Sequence, residues 1–225
     1  MKARILFLGI LLALITLGVG LVDSNSATAR ANSSSTLSAP LAAPIDPGFD
    51  LFETGQVTTG FAFSNEFTIP PSFFEPGSNP FAGEVCFAGD PIGNFQAHGV
   101  GSTDTIVQRL APANLPTIPS NDTVPIEIVA LNLVSCEPIT VHYTAAPPEL
   151  WDVKVTLSPT LPSTGQMTIT KTNPNGGTFQ SQLQVYPKFI FTRVSDHAQR
   201  NLDVGAIGLP PLSANLRTSP QSRSR

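Results

Sequence analysis

Cys86 and Cys136 are the only two cysteines in the chain. A catalytic thiol needs a base to form its thiolate, and no such base stands out in the sequence. A disulfide between them is the simpler reading, and it implies an oxidising compartment. The three histidines, His98, His142 and His197, show neither H-x-H nor H-x3-H spacing. No HExxH run and no GxSxG elbow occurs, so a zinc centre or a serine hydrolase has no sequence support. Thr103-Asp104-Thr105-Ile106 and Asn121-Asp122-Thr123-Val124 place two Asp-Thr units on the page as a candidate acid–base dyad. The aspartic-protease signature has Gly after Asp-Thr, however, and here Ile106 and Val124 stand there. Turn aspartates that open strands are the alternative. Asp46, Asp50 and Glu53 are close enough in sequence for a calcium site but lack the DxDxDG loop, which favours solvated carboxylates. No cofactor is expected.

Leu161-Pro162-Ser163-Thr164-Gly165 matches the LPxTG pattern that sortases cleave. The strand-like QMTITKTN follows it where a sorting signal would carry an apolar anchor, so the motif reads as a turn. Asn32-Ser33-Ser34 and Asn121-Asp122-Thr123 match the glycosylation pattern. Trp151, flanked by Glu149 and Asp152, could stack a sugar ring, but its parity with Val153, Val155 and Leu157 favours the core. Ten of the 14 phenylalanines lie between Phe49 and Phe95. Phe61, Phe63 and Phe67 share one strand face, whereas Phe73, Phe74 and Phe81 sit among the turn formers of FFEPGSNPF. Phe73, Phe74, Phe81 and Trp151 are therefore the candidate interaction surface, with closure of a core end as the competing role for the three phenylalanines.

These side chains must be carried by strands, because the pattern has period two and not 3.6. Alternation runs over Val57–Ile69 and over Trp151–Leu157. In Val124–Val134 the apolar positions change parity, from Val124, Ile126 and Ile128 to Leu131 and Leu133, which predicts a bulge or bend near Ala130. Further strands are expected at Gly83–Gly89, Phe95–Val100, Thr105–Leu110, Ile139–Thr144, Gln166–Lys171, Thr178–Tyr186 and Lys188–Val194, with an Asn-Gly turn in Asn173–Gly177. About ten short strands joined by Pro- and Gly-rich turns predict an all-β, antiparallel β-sandwich, Ig-like or jelly-roll-like, rather than a barrel.

The chain opens with Lys2 and Arg4, runs apolar from Ile5 to Val22, and reaches an A-x-A site at Ala27–Ala29 or Ala29–Ala31. That predicts a signal peptide over residues 1–31, or an N-terminal anchor if uncleaved. Residues 32–47 read as a flexible Ser/Ala/Pro leader, 48–212 as a single sandwich domain, and 213–225 as a disordered basic tail. The net charge is −4, which argues against nucleic acid and against an electrostatic grip on anionic lipid. Membrane contact is expected only through the N-terminal apolar segment. The destination is extracellular or periplasmic.

The segments FFEPGSNPFAGEVCFAGDPIG, GSTDTIVQRLA, VPIEIVALNLVS and ELWDVKVTLSPTLPSTGQMTIT resemble uncharacterised secreted β-rich proteins of environmental bacteria. The resemblance spans most of Phe73–Val194 and implies secretion and a β fold, with no activity attached. The expectation is an exported, non-enzymatic surface, matrix or adhesion-type module whose partner is a protein or a glycan. The alternative is a carbohydrate-binding module, or a hydrolase with two carboxylates about 5–9.5 Å apart across a cleft.

Overall fold

The structure is a computed structural model that describes residues 12–13, 44–54, 59–64, 67–93 and 102–216. Most of the expected signal segment and leader, the strand expected at Phe95–Val100, and residues 217–225 lie outside the described residues. The chain is all-β, as the alternation predicts. Thirteen strands lie between Gly48 and Leu216: β2 (Gly48–Phe52), β3 (Thr59–Phe63), β4 (Gly83–Gly89), β5 (Thr105–Arg109), β6 (Ser120–Leu131), β7 (Leu133–Ser135), β8 (Ile139–Val141), β9 (Glu149–Leu157), β10 (Ser163–Asn173), β11 (Gly176–Val185), β12 (Pro187–Arg193), β13 (Gln199–Asp203) and β14 (Leu212–Leu216). A two-residue strand, β1 (Leu12–Ala13), adds in parallel beside β14. All other pairings are antiparallel.

Two sheets result. One runs β14-β11-β10-β6-β5-β2, and the other β13-β12-β9-β7-β4-β3 with β8 on β9. Apart from β1, strand numbers fall monotonically across each sheet, which is the order of a meander and not the Greek-key order of Ig-like and jelly-roll folds. The chain changes sheet within each of six long runs. Asn132 alone separates β6 from β7, and Tyr186 alone separates β11 from β12. The strand order is thus a meander that passes six times between the two sheets, whose junction forms a waist. The turns at residues 67–82, 142–148 and 194–198 gather at the outer end of the second sheet, and those at 110–119 and 174–175 at the outer end of the first.

Each sheet fills its own core. The first encloses Phe52, Val107, Val124, Ile126, Ile128, Met167, Leu183 and their neighbours, so it is called the aliphatic sheet. The second encloses Phe63, Phe74, Phe87, Trp151, Phe189 and Phe191 with aliphatic neighbours, and is called the aromatic sheet. Leu131, at the waist, packs against both. Both sheets curl strongly, as accumulated strand twist allows. Edge-strand Phe52 reaches Phe179 of β11 at 5.7 Å between ring centroids, and Phe63 of edge strand β3 reaches Phe189 of β12 at 5.2 Å. Of the nine early phenylalanines among the described residues, seven pack in or against this aromatic core.

The parity change in β6 has a single cause. Ile106 pairs with Ala130 but Val107 pairs with Ile128, so Val129 is an extra residue. It points outward, and the inward set passes from Val124, Ile126 and Ile128 to Leu133. At the waist the fully buried Asp104 accepts hydrogen bonds from Thr54 N at 2.6 Å, Thr54 Oγ1 at 2.9 Å and Thr105 Oγ1 at 2.7 Å. Its backbone N–H donates to Phe52 O and its carbonyl accepts from Asn132 N. Three runs are tied there.

Two boundaries differ from expectation. Residues 213–216, expected in a disordered tail, belong to β14, where Ala214 and Leu216 are buried in the aliphatic core. At the other end Ile45, expected in the leader, bridges Ala113. β2, β13 and β14 were too short or too polar to show as periodic runs.

Candidate functional site

Cys86 of β4 and Cys136, just beyond β7, form a disulfide with Cα atoms 5.5 Å apart. Cys136 N donates to Cys86 O at 2.9 Å, so the bridge extends the β4–β7 ladder. A disulfide is compatible with an oxidising extracellular environment.

The outer end of the aromatic sheet is a plug. The prolines of residues 67–81 turn the chain back on itself, and Ile69 and Phe81 exchange both backbone hydrogen bonds at 3.0 Å. Phe74 slots between Trp151 and Phe191, at 5.2 Å from each ring. Phe73 meets Phe74 and Phe191 edge-on, and Phe81 meets Phe63. Phe74 and Trp151 are both 0% exposed, and Phe73 and Phe81 are half-buried against the same core. The four candidate interaction residues come together, but facing inward. Their rings shed water into a core end that the open curl of the sheet leaves uncovered.

Over this plug lies an ion cluster that the sequence did not disclose. The Arg193 guanidinium sits 5.4 Å from the Trp151 ring centre. Its Nη1 donates to Glu149 Oε2 at 3.0 Å, its Nε to Asp196 Oδ1 at 2.8 Å, and its Nη2 to Glu75 Oε1 at 3.2 Å. Arg200 Nη2 shares Glu75 Oε1 at 2.9 Å, and the Tyr143 hydroxyl donates to Glu149 Oε2 at 2.7 Å. The three carboxylates come from separate segments at this end, Glu75 from the turn after β3, Glu149 from the start of β9 and Asp196 from the turn after β12. The Tyr143 hydrogen bond, then that of Arg193, holds Glu149 below its usual range. Hydrogen bonds from Arg193 and from Ala198 N hold Asp196 down. Burial, then the bond to Glu149, pushes Tyr143 up to about 12. Glu149 and Asp196 are therefore held in the ionised form by these partners, and the Tyr143 phenol keeps its proton. Such a cluster ties the turns at this end to the start of β9. Beneath it the Ser78 hydroxyl is buried without a hydrogen-bond partner among the described residues, and the buried Trp151 indole N–H has only the Tyr143 hydroxyl beside it.

The outer end of the aliphatic sheet is open. A cavity of about 690 Å³ lies between edge strand β2 and the β10–β11 hairpin. Its walls include Phe52, Leu115, Met167, Ile169 and Phe179. At its rim Phe49 is 62% and Leu51 42% exposed. Three ionisable residues line it, Asp50, Arg109 and Lys171. Arg109 Nε donates to Asp50 Oδ2 at 2.9 Å and Nη1 donates to Asp46 O at 2.7 Å, so this pair is internally neutral. Lys171 has no ion pair among the described residues. Period two does not disclose this mouth, because its walls come from three stretches far apart in sequence and β2 carries no periodic signal of its own.

The remaining motifs are structural. Asp104 and Asp122 are held by different partners, the latter by Asn114 N and Thr123 N. Burial raises the Asp104 pKa against the pull of the threonine hydrogen bonds. Asp50 of the Asp46/Asp50/Glu53 group is turned to Arg109. The Ser163–Gly165 half of the LPxTG match lies in β10, where Ser163 is buried and its Oγ accepts from Tyr186 N at 2.9 Å. Gly165 is clasped by the Gln182 carbonyl so closely that no Cβ would fit. His142 and His197 are exposed, and His98 lies outside the described residues. No protein-family model, curated protein or solved structure matches this chain.

Proposed function

We propose that the chain is an exported, non-enzymatic interaction module, of the surface, matrix or adhesion type, that binds through the open end of its aliphatic sheet. The observation that carries this reading is the asymmetry of the two ends. One is plugged by aromatic rings and tied by ion pairs, while the other presents a largely apolar cavity rimmed by Phe49 and Leu51. Concave, mostly apolar sites with a few placed polar groups are the usual form of a binding pocket. Export is supported by the basic–apolar–AxA start and by the disulfide. A non-enzymatic role is supported by the engagement of the clustered carboxylates with arginines. The architecture is read as a sandwich-like, two-sheet module of meander order. Burial of Trp151 weighs against the carbohydrate-binding alternative.

The neutral apolar probe N-phenylnaphthylamine tests the site. Its fluorescence should rise and saturate with the full chain, and a Phe49→Lys/Leu51→Lys variant should lose that rise with an unchanged far-UV spectrum. No saturable rise, or an equal one in the variant, would remove the open end as the binding surface.

A further inference from the structure

We infer that the open end takes an amphiphile with an apolar tail and a single carboxylate head, the head resting on Lys171. This rests on the open end being the binding surface and adds the class of ligand. On β10 the positions Met167, Ile169 and Lys171 fall on one parity, the inward one, since Met167 is buried in the aliphatic core. Successive positions of one parity are about 6.6 Å apart along a strand. The inward line therefore climbs from core, through half-buried Ile169, to a cation at the rim. The facing strand leaves that cation room. Lys171 pairs across the hairpin with Gly177, which has no side chain, and the next inward position on β11 is Phe179. On the opposite wall Phe52 is buried below and Asp50 stands above it, already neutralised by Arg109.

The charges of the lining then decide the head group. Asp50 and Arg109 cancel, and Lys171 is left as one uncompensated positive charge beside a predominantly apolar wall. A dication or a polyanion has no complement there, and a neutral lipid leaves the ammonium without a partner. A monoanionic head satisfies it, while Phe52, Leu115, Met167, Ile169 and Phe179 take the tail. The chain as a whole is negative, at −4, so long-range attraction does not recruit the anion. Tail burial drives binding and Lys171 selects among tails by their heads.

Dodecanoate and its methyl ester separate the two contributions. Each is titrated into the full chain preloaded with N-phenylnaphthylamine, and displacement is read. Dodecanoate should displace the probe at one site and more tightly than the ester. Lys171→Met should weaken dodecanoate roughly tenfold, about 1.4 kcal/mol, and leave the ester unchanged. Equal affinity for acid and ester, or a Lys171→Met variant that affects neither, overturns the carboxylate assignment while the apolar site stands. If neither ligand displaces a probe that binds, the site does not take amphiphiles and the inference fails. If the probe itself does not bind, the open-end reading fails first.

Discussion

Truncating Phe74 to alanine tests whether the FFEPGSNPF segment is a plug or a surface. Phe74 is fully buried and its ring meets Phe73, Phe81, Trp151 and Phe191 within 6.3 Å between centroids. Removing a buried phenylalanine costs about 3–5 kcal/mol, and the spread reflects how far the site can collapse into the void. Collapse is poor here. Pro70, Pro71, Pro76 and Pro80 fix the loop backbone, and the Ser78–Tyr143 bridge and the Glu75–Arg193 pair hold it from the far side. We expect the upper part of the range, about 4 kcal/mol, which is a large share of the total stability of a domain. The assay is urea unfolding under non-reducing conditions, followed by the fluorescence of Trp151, the only tryptophan, against whose ring Phe74 packs. The control is Phe49→Ala, a change to an exposed ring, expected to cost no more than about 0.5 kcal/mol. A cost below about 1 kcal/mol for Phe74→Ala, or a larger one for Phe49→Ala, would refute the plug and return the loop to the list of candidate surfaces.

Replacing both Cys86 and Cys136 by serine should lower stability by about 4 kcal/mol, the chain-entropy value for a 50-residue separation. The loss should vanish when parent and variant are compared under reducing conditions. Two opposite pH dependences are expected. Glu149 titrates below its ordinary 4.5, so its contribution is full above that value and lost as pH falls through the lower folded-state pKa. Asp104 titrates above its ordinary 3.8, so its contribution is full below that value and lost as pH rises through the folded-state pKa. Asp104→Asn removes the second contribution, and its urea midpoint should therefore drop more steeply than the parent's between about pH 7 and about pH 3; a parallel or shallower drop counts against a raised Asp104. Deleting Val129 should remove the bulge and leave Leu131 and Leu133 on the inward parity of Ile126 and Ile128, so near-UV dichroism should be kept, and its loss would count against Val129 as the extra residue. Val129→Ala should be close to neutral by the same measurement.

Strand content was legible in the sequence because each strand has one dry and one wet face, and that alternation is a local property. Trp151, Val153 and Val155 against Asp152, Lys154 and Thr156 are enough to place β9 and the tryptophan's side. The bulge at Val129 was legible for the same reason, as a parity change within one run. The cysteine pair needed only its number and context. What failed locally was β2, β13 and β14, whose short runs are held by the neighbours they pair with and not by a periodic stripe of their own.

The ion cluster and the open mouth were not legible at all. Glu75 and Asp196 lie in separate turns and Glu149 opens β9, and Arg193 gathers them only because the meander returns to one end of the aromatic sheet three times. Likewise β2 faces the β10–β11 hairpin only because the aliphatic sheet curls. The sequence by itself determined that this is a strand-built chain with a disulfide pair and a dense early aromatic set. The tertiary structure decided which way those rings point and which end stays open, because curl and the return of distant turns are properties of the whole sheet, summed over strands, and no single stretch carries them.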